Sequence, residues 1–168
     1  VDHFVEHTQP KIGGQAKAMV VGSSRLQALK YKQEIDEYIS KQNIKGVNTL
    51  VAFSGTLKDD TGKTFTEQSM NGTRSDWELR EKFDTPEYNI LIVAEKYQTG
   101  FDQPLLHTMY VDKKLHGIKA VQTLSRINRT NTGKTDTFVI DFQNDIDEIY
   151  IAFKPYYEQT ALTDKTDV

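Results

Sequence analysis

Gln122, Arg126 and Arg129 stand four and three residues apart in "QTLSRINR", 122–129, so on a helix they share one face, with Leu124 and Ile127 turned away and Val121 near the boundary. Two guanidinium groups on one face can do chemistry, since each presents a rigid fork of N–H donors that matches phosphate oxygens. The same spacing also occurs on ordinary exposed helices. Gly22, Ser23 and Ser24, after the apolar run "AMVV", combine hydroxyls with backbone N–H groups at a helix start, which suits a phosphate contact or a plain helix cap. In "KYQTGFDQP", 96–104, Thr99 and Gly100 offer a hydroxyl and a close backbone approach, and Asp102 a carboxylate for hydroxyl donors. A turn with an Asx hydrogen bond is the alternative there.

Two further strings invite a phosphate-loop reading and fail it. "DDTGKT", 59–64, and "TGKT", 132–135, both end in Gly-Lys-Thr. A phosphate loop needs a second glycine five residues earlier, between a strand and a helix. Those positions hold Leu57 and Asn128, and "DTFVIDF" after the second copy reads as a strand. Each string is expected to be a glycine-containing turn with a solvated lysine.

The elements that must position these groups alternate along the chain. "AMVVGS" reads as a strand, and "RLQALKYKQEIDEYISKQ" as a helix capped by Ser23 or Ser24. "TLVAFSG", 49–55, is a second strand. The polar segment 56–75 shows little periodicity and is expected to be a long excursion with a job of its own, or disorder. Ser75 or Asp76 caps "WELREKF". "YNILIVAE", 88–95, is apolar enough for a strand buried on both faces. Then come the strand "HTMYVDK", 107–113, the helix 118–128, the strand "DTFVIDF" and a closing helix over 145–160. Alternating strands and helices predict an α/β fold with a mainly parallel sheet and helices on both faces. Ligands in such folds bind beyond the carboxyl ends of the strands, where the three stretches are expected to gather.

Composition sets bounds on the function. The chain has 168 residues, 37% apolar and 27% charged, which fits one globular domain with a real core. It has no cysteine, so thiolate metal sites and disulfides are excluded. No run approaches the ~20 apolar residues that span a bilayer, the start is no signal peptide, and a cytoplasmic location without membrane contact is expected. The net charge of −3 gives no overall attraction to nucleic acid, so any such contact must be local.

Taken together, "ILIVAEKYQTGFDQPLLHTMYVDKKL", "AVQTLSRINRT" and "TFVIDF" resemble motifs V and VI of superfamily 2 helicases. More narrowly, they resemble the motor part of the R subunit of type I restriction enzymes. "KAMVVGSSRLQALKY" is similar to that family's motif IV region, and "AFSGTLKDDTGKTFTE" to the segment after it. The resemblance runs from about Lys17 to about Leu162, with T-G-F-D and Q-x-x-x-R-x-x-R in the family's order. Ser125 stands where many members of the wider superfamily have glycine.

The resemblance implies a three-layer RecA-like domain, the second of two that enclose ATP between them. It implies a linker from the preceding motor domain over 1–16, the RecA-like domain over 17–142, and a closing helix and tail over 143–168. Arg126 and Arg129 are then catalytic, with Arg129 the arginine finger. Gln122, Asp102 and Gly100 face ATP; Thr99, Ser23 and Ser24 touch the DNA backbone. ATP and Mg2+ are expected to be held mainly by the first domain, since neither a phosphate loop nor an Asp-Glu-x-His element occurs here. The partners implied are double-stranded DNA, that first domain, and the modification and specificity subunits. The activity implied is ATP-dependent DNA translocation within a type I restriction endonuclease, with this piece inactive by itself.

Three other readings stay beside this one. A non-catalytic RecA-like module would use Arg126 and Arg129 only to hold DNA or a protein. A nuclease core is suggested by "DKK", 112–114, but its partner carboxylate is missing, since Glu87 after Pro86 falls at a strand start. A small-molecule nucleotide enzyme lacks its glycine-rich fingerprint. His3, His7, His107 and His116 do not cluster, and no metal site is expected.

Overall fold

The computed structural model describes residues 1–97, 101–128, 130–152 and 154–155. A π-helical turn, Phe4–Thr8, and a short turn α1, Lys11–Gly14, lead into β1, Lys17–Gly22, and α2, Arg25–Lys41. Then follow β2 (Thr49–Ala52), β3 (Thr56–Lys58), β4 (Thr64–Thr66), α3 (Glu67–Asn71), α4 (Asp76–Asp84) and β5 (Ile90–Val93). The last elements are β6 (Leu106–Asp112), α5 (Ile118–Leu124) with a 3-10 turn Ser125–Asn128, and β7 (Phe138–Asp141). Residues 146–152 and 154–155 are helical.

The main sheet has the order β2-β5-β1-β6-β7, and each pairing is parallel. Val21 lies opposite Val93 on one side and Val111 on the other. All residues of β1, β2 and β5 are buried, which is why these strands read as continuous apolar runs. Met19, Val21, Leu91, Val93, Met109 and Val111 face α4 and α5 through Leu79, Phe83, Ala120 and Leu124. Ala18, Val20, Val51, Ile90 and Ile92 face α2 through Ala28 and Leu29. The N-terminal residues pack on that second face, with Phe4 buried and Thr8 sharing a 2.7 Å hydrogen bond with Thr108.

Helix starts follow local rules. Ser24 caps α2 by accepting from the Gln27 N–H, and Ser75 caps α4 by accepting from Glu78. Thr66 and Ser69 form a capping box on α3.

The segment 56–75 is ordered, as a β3–β4 hairpin followed by α3. Its three-residue strands are too short for a period to be legible, and α3 is held by contacts distant in sequence. Asn71 Oδ1 accepts from the Val51 N–H at 2.9 Å and Asn71 Nδ2 donates to the Val51 carbonyl at 2.6 Å. Glu67 Oε2 accepts from the Phe53 N–H at 2.9 Å. One turn apart on α3, these side chains fill the outer hydrogen-bonding edge of β2, which ends the sheet.

Both TGKT strings are turns. In the hairpin, Gly62 adopts φ 85° and Asp59 Oδ1 accepts from the Thr61 and Lys63 N–H groups. Gly133, also at φ 85°, closes the turn in which the Lys134 N–H reaches the Asn131 carbonyl. Lys63 is exposed as expected. Lys134 is not a solvated lysine: it is half-buried, and its Nζ donates to the Ile127 carbonyl at 2.6 Å and to the Pro104 carbonyl at 3.4 Å.

Candidate functional site

The carboxyl ends of β1 and β6 meet through one glutamine. Ser23 and Ser24 are exposed just past β1. Gln27 Oε1 accepts from the Ser23 hydroxyl at 2.8 Å, and its Nε2 donates to Asp112 Oδ2 at 3.0 Å. Asp112 also receives the Tyr31 hydroxyl and, at 2.7 Å, Gln143 Nε2. These donors hold the Asp112 carboxyl below its ordinary range, Tyr31 foremost. Burial, with the carboxylate beside it, pushes the Tyr31 phenol up to about 12. Asp112, half of the "DKK" pattern, therefore serves as a structural acceptor at the sheet's edge. Among the described residues no group of three His, Cys, Asp or Glu could hold a metal ion.

A charged cluster stands at the carboxyl end of β5. Lys96 Nζ lies 2.8 Å from Glu67 Oε2 and 2.8 Å from Asp76 Oδ1. Asp76 also accepts from the Tyr97 hydroxyl and, at 3.0 Å, from Arg80 Nε. Burial works against the Asp76 charge, but the bonds from Lys96 and Tyr97 outweigh it and pull the carboxyl down to about 2.

From there the chain must return, because β6 runs parallel to its neighbours and starts at the opposite edge of the sheet. The described residues of this return segment bond α4 at both ends: the Tyr97 hydroxyl donates to Asp76 at the start of that helix, and Gln103 Nε2 donates to Asp84 at its end, at 2.7 Å. Asp102 is exposed on this return path, two residues before Pro104.

The arginine helix makes the same crossing. It starts beyond β6 and ends in the 3-10 turn, where Lys134 ties the Ile127 carbonyl to that of Pro104. Among the described residues of the three stretches, Ser23, Ser24 and the Lys96 cluster lie at the carboxyl edge where all three were expected. Asp102 and the Arg126 turn are drawn together beside the entry to β6. The parallel connection forces this, since both segments must cross the sheet.

Arg126 is not on an exposed face. It is 8% exposed and lies in the 3-10 turn that tightens the end of the helix. Its Nε reaches the Gln122 carbonyl at 3.4 Å, and Nη2 has no hydrogen-bond partner among the described residues. Desolvation lowers its pKa to about 10, which still leaves it charged at neutral pH. Gln122 is half-buried one turn before it. Thr99, Gly100 and Arg129 lie outside the described residues.

Sequence reasoning passed over Gln27, Glu67 and Lys96, and misjudged Lys134 as solvated. Gln27 carried a signal, being the third helical residue after the Ser24 cap. Glu67 and Lys96 carried none, since 29 residues separate them.

The all-parallel main sheet with helices packed on both faces defines a three-layer α/β domain. The sequence model of the family described as type I restriction enzyme subunit R domain 3 matches residues 32–144, and the chain belongs to that family. It is 29% identical over its whole length to the candidate MjaIXP type I restriction enzyme endonuclease subunit of Methanocaldococcus jannaschii, covering 15% of that protein. It is 24% identical to the HindI type I restriction enzyme endonuclease subunit of Haemophilus influenzae, over 96% of this chain and 16% of that one. The chain therefore spans about 15% of the curated relatives it matches. Among solved structures, the ATP-dependent Type ISP restriction-modification enzyme LlaBIII bound to DNA shares the fold, with a TM-score of 0.51 and 16% identity over 82% of this chain and 9% of that chain. No helix among the described residues is long and apolar enough to cross a membrane.

Proposed function

We propose that this chain is the second RecA-like half of an ATP-dependent double-stranded DNA translocase in a type I restriction endonuclease R subunit. The observation that carries the reading is the Arg126 guanidinium, buried and charged with Nη2 unpartnered among the described residues. A buried polar group without a partner is costly, and a charged one more so. Such a donor suits an anion delivered from outside the domain, and a phosphate oxygen matches its fork.

In this reading ATP, held with Mg2+ mainly by the first motor domain, supplies the phosphoanhydride bond whose cleavage drives movement. Arg126 and Arg129 meet the phosphate charge from across the cleft, Arg129 as the finger. In a water-poor setting their interaction with developing charge is strong. Gln122 fixes the Arg126 head group through its carbonyl and orients the phosphate. Asp102 and Gly100 face the nucleotide, while Thr99, Ser23 and Ser24 grip the DNA backbone. The modification and specificity subunits complete the assembly.

The test is DNA-stimulated ATP turnover of the intact parent protein carrying Arg126→Ala or Arg129→Ala, with DNA binding measured alongside. Loss of turnover with binding intact supports the reading. Unchanged turnover in both variants, or weakened DNA binding with a reduced salt slope, returns the chain to a DNA-holding module.

A further inference from the structure

Lys96 stands where three separate parts of the chain meet. Its Nζ is 3.0 and 2.8 Å from the two Glu67 oxygens and 2.8 Å from Asp76 Oδ1. Glu67 cannot shift freely: its side chain is 3% exposed and also takes the Phe53 N–H of the sheet edge. Asp76 opens α4 and holds the Tyr97 hydroxyl, while the Arg80 guanidinium lies 4.9 Å from the centre of the Tyr97 ring. The Tyr97 ring stacks on Phe101 with centroids 4.9 Å apart, and Phe101 in turn neighbours Phe83 at 6.1 Å. Asp102 is the next residue. A continuous run of bonds and ring contacts thus joins the β2 edge to Asp102.

The backbone at this point must be held. Glu95 and Tyr97, on either side of Lys96, have φ values of 56° and 60°, a region that residues with side chains seldom occupy. The Lys96 ammonium and the Tyr97 hydroxyl, both bonded to Asp76, supply that restraint. Burial disfavours the Lys96 charge, but the bonds to Asp76 and Glu67 raise its pKa on balance, so the bridge is ionised over the neutral range.

We infer that Lys96 is a positioning residue for Asp102. It uses the Glu67 and Asp76 carboxylates as fixed points to set where the carboxylate of the T-G-F-D segment stands. The inference rests on the nucleotide-facing role proposed above for Asp102. It gives segment 56–75 a task, since α3 both closes the β2 edge and carries the anchor for Lys96.

The experiment is a double-mutant cycle in the intact parent protein, reading kcat for DNA-stimulated ATP turnover in K96M, D102N and K96M/D102N, with K96R as the conservative variant. K96M is expected to lower kcat about tenfold, as a displaced catalytic geometry does. K96R, whose fork can span both carboxylates, is expected to stay within about twofold of wild type. The double variant is expected to be no slower than D102N by itself, because Lys96 acts through Asp102. Losses that multiply, or a silent K96M beside an impaired D102N, overturn the positioning role and leave the role of Asp102 standing. A silent D102N overturns both. If circular dichroism shows K96M misfolded, E67Q replaces it in the cycle, since its amide oxygen still accepts the Phe53 N–H while the charge facing Lys96 is gone. The same coupling is then expected, and multiplied losses overturn the inference.

Discussion

Asn71 pairs with Val51 as a neighbouring strand would, accepting from its N–H at 2.9 Å and donating to its carbonyl at 2.6 Å. Val51 is fully buried in the edge strand β2, so these backbone groups have no route to water. Asn71→Leu removes both partners at once. Leaving a buried donor and acceptor unsatisfied costs about 1–3 kcal/mol each. Thermal unfolding is expected at a clearly lower temperature, with greater aggregation as the β2 edge opens. A variant as stable as wild type would show that water reaches Val51.

Arg126 trades stability for an unfilled bond. Arg126→Met keeps the length and apolar stem of the side chain while deleting the desolvated charge and the unpartnered Nη2. Replacing an unpaired buried charge with an apolar group is expected to leave stability unchanged or raise it by about 1 kcal/mol. DNA-stimulated ATP turnover is expected to fall by about 10³ or more, the scale of an arginine meeting transition-state charge. Chemical denaturation and turnover measured on the same preparation check both halves.

Ser24 separates a cap from a DNA contact. Its hydroxyl accepts from the Gln27 N–H at 3.1 Å. Ser24→Ala is expected to cost about 1 kcal/mol of stability, and Ser24→Gly only a few tenths. Both variants lack the hydroxyl, so a DNA-backbone contact predicts an equal loss of DNA affinity, about threefold to tenfold. Equal affinity in Ser24→Gly and wild type would leave Ser24 as a cap.

Lys17 sets an alkaline dependence. It is buried at the start of β1, donates to the Thr85 carbonyl at 2.8 Å and the Tyr88 carbonyl at 2.6 Å, and lies 5.0 Å from the Phe83 ring centre. Desolvation pulls its pKa down to about 8, below the unfolded value of 10.5. Between those values the unfolded chain binds more protons than the native one, so stability rises as pH climbs from about 8 toward 10.5. The penalty of charging Lys17 is fully present below about 8. Denaturation midpoints across this range are expected to show the rise in wild type and to lack it in Lys17→Met.

How much of this was legible follows from the range of each interaction. The strands β1, β2 and β5 were readable because burial on both faces leaves a mostly apolar run, and α2 and α4 because Ser24 and Ser75 announce their starts. The turn nature of both TGKT strings was readable from the missing glycines at Leu57 and Asn128. The hairpin and α3 were not, because Glu67 and Asn71 are held by Phe53 and Val51, whose backbone groups have no signature in the sequence. The same holds for Lys134, whose acceptors are the carbonyls of Ile127 and Pro104.

The sequence by itself determined the α/β class, the family resemblance and the identity of the candidate groups, since local pattern and motif order suffice for those. Only the tertiary structure decided that Arg126 is buried, that Asp102 and the Arg126 turn lie beside the entry to β6 while Ser23 and Ser24 lie at the opposite edge, and that Lys96 bridges Glu67 and Asp76. The reason is geometric. A parallel sheet obliges each connection to cross back, and where a residue lands on that crossing depends on the packing it meets there.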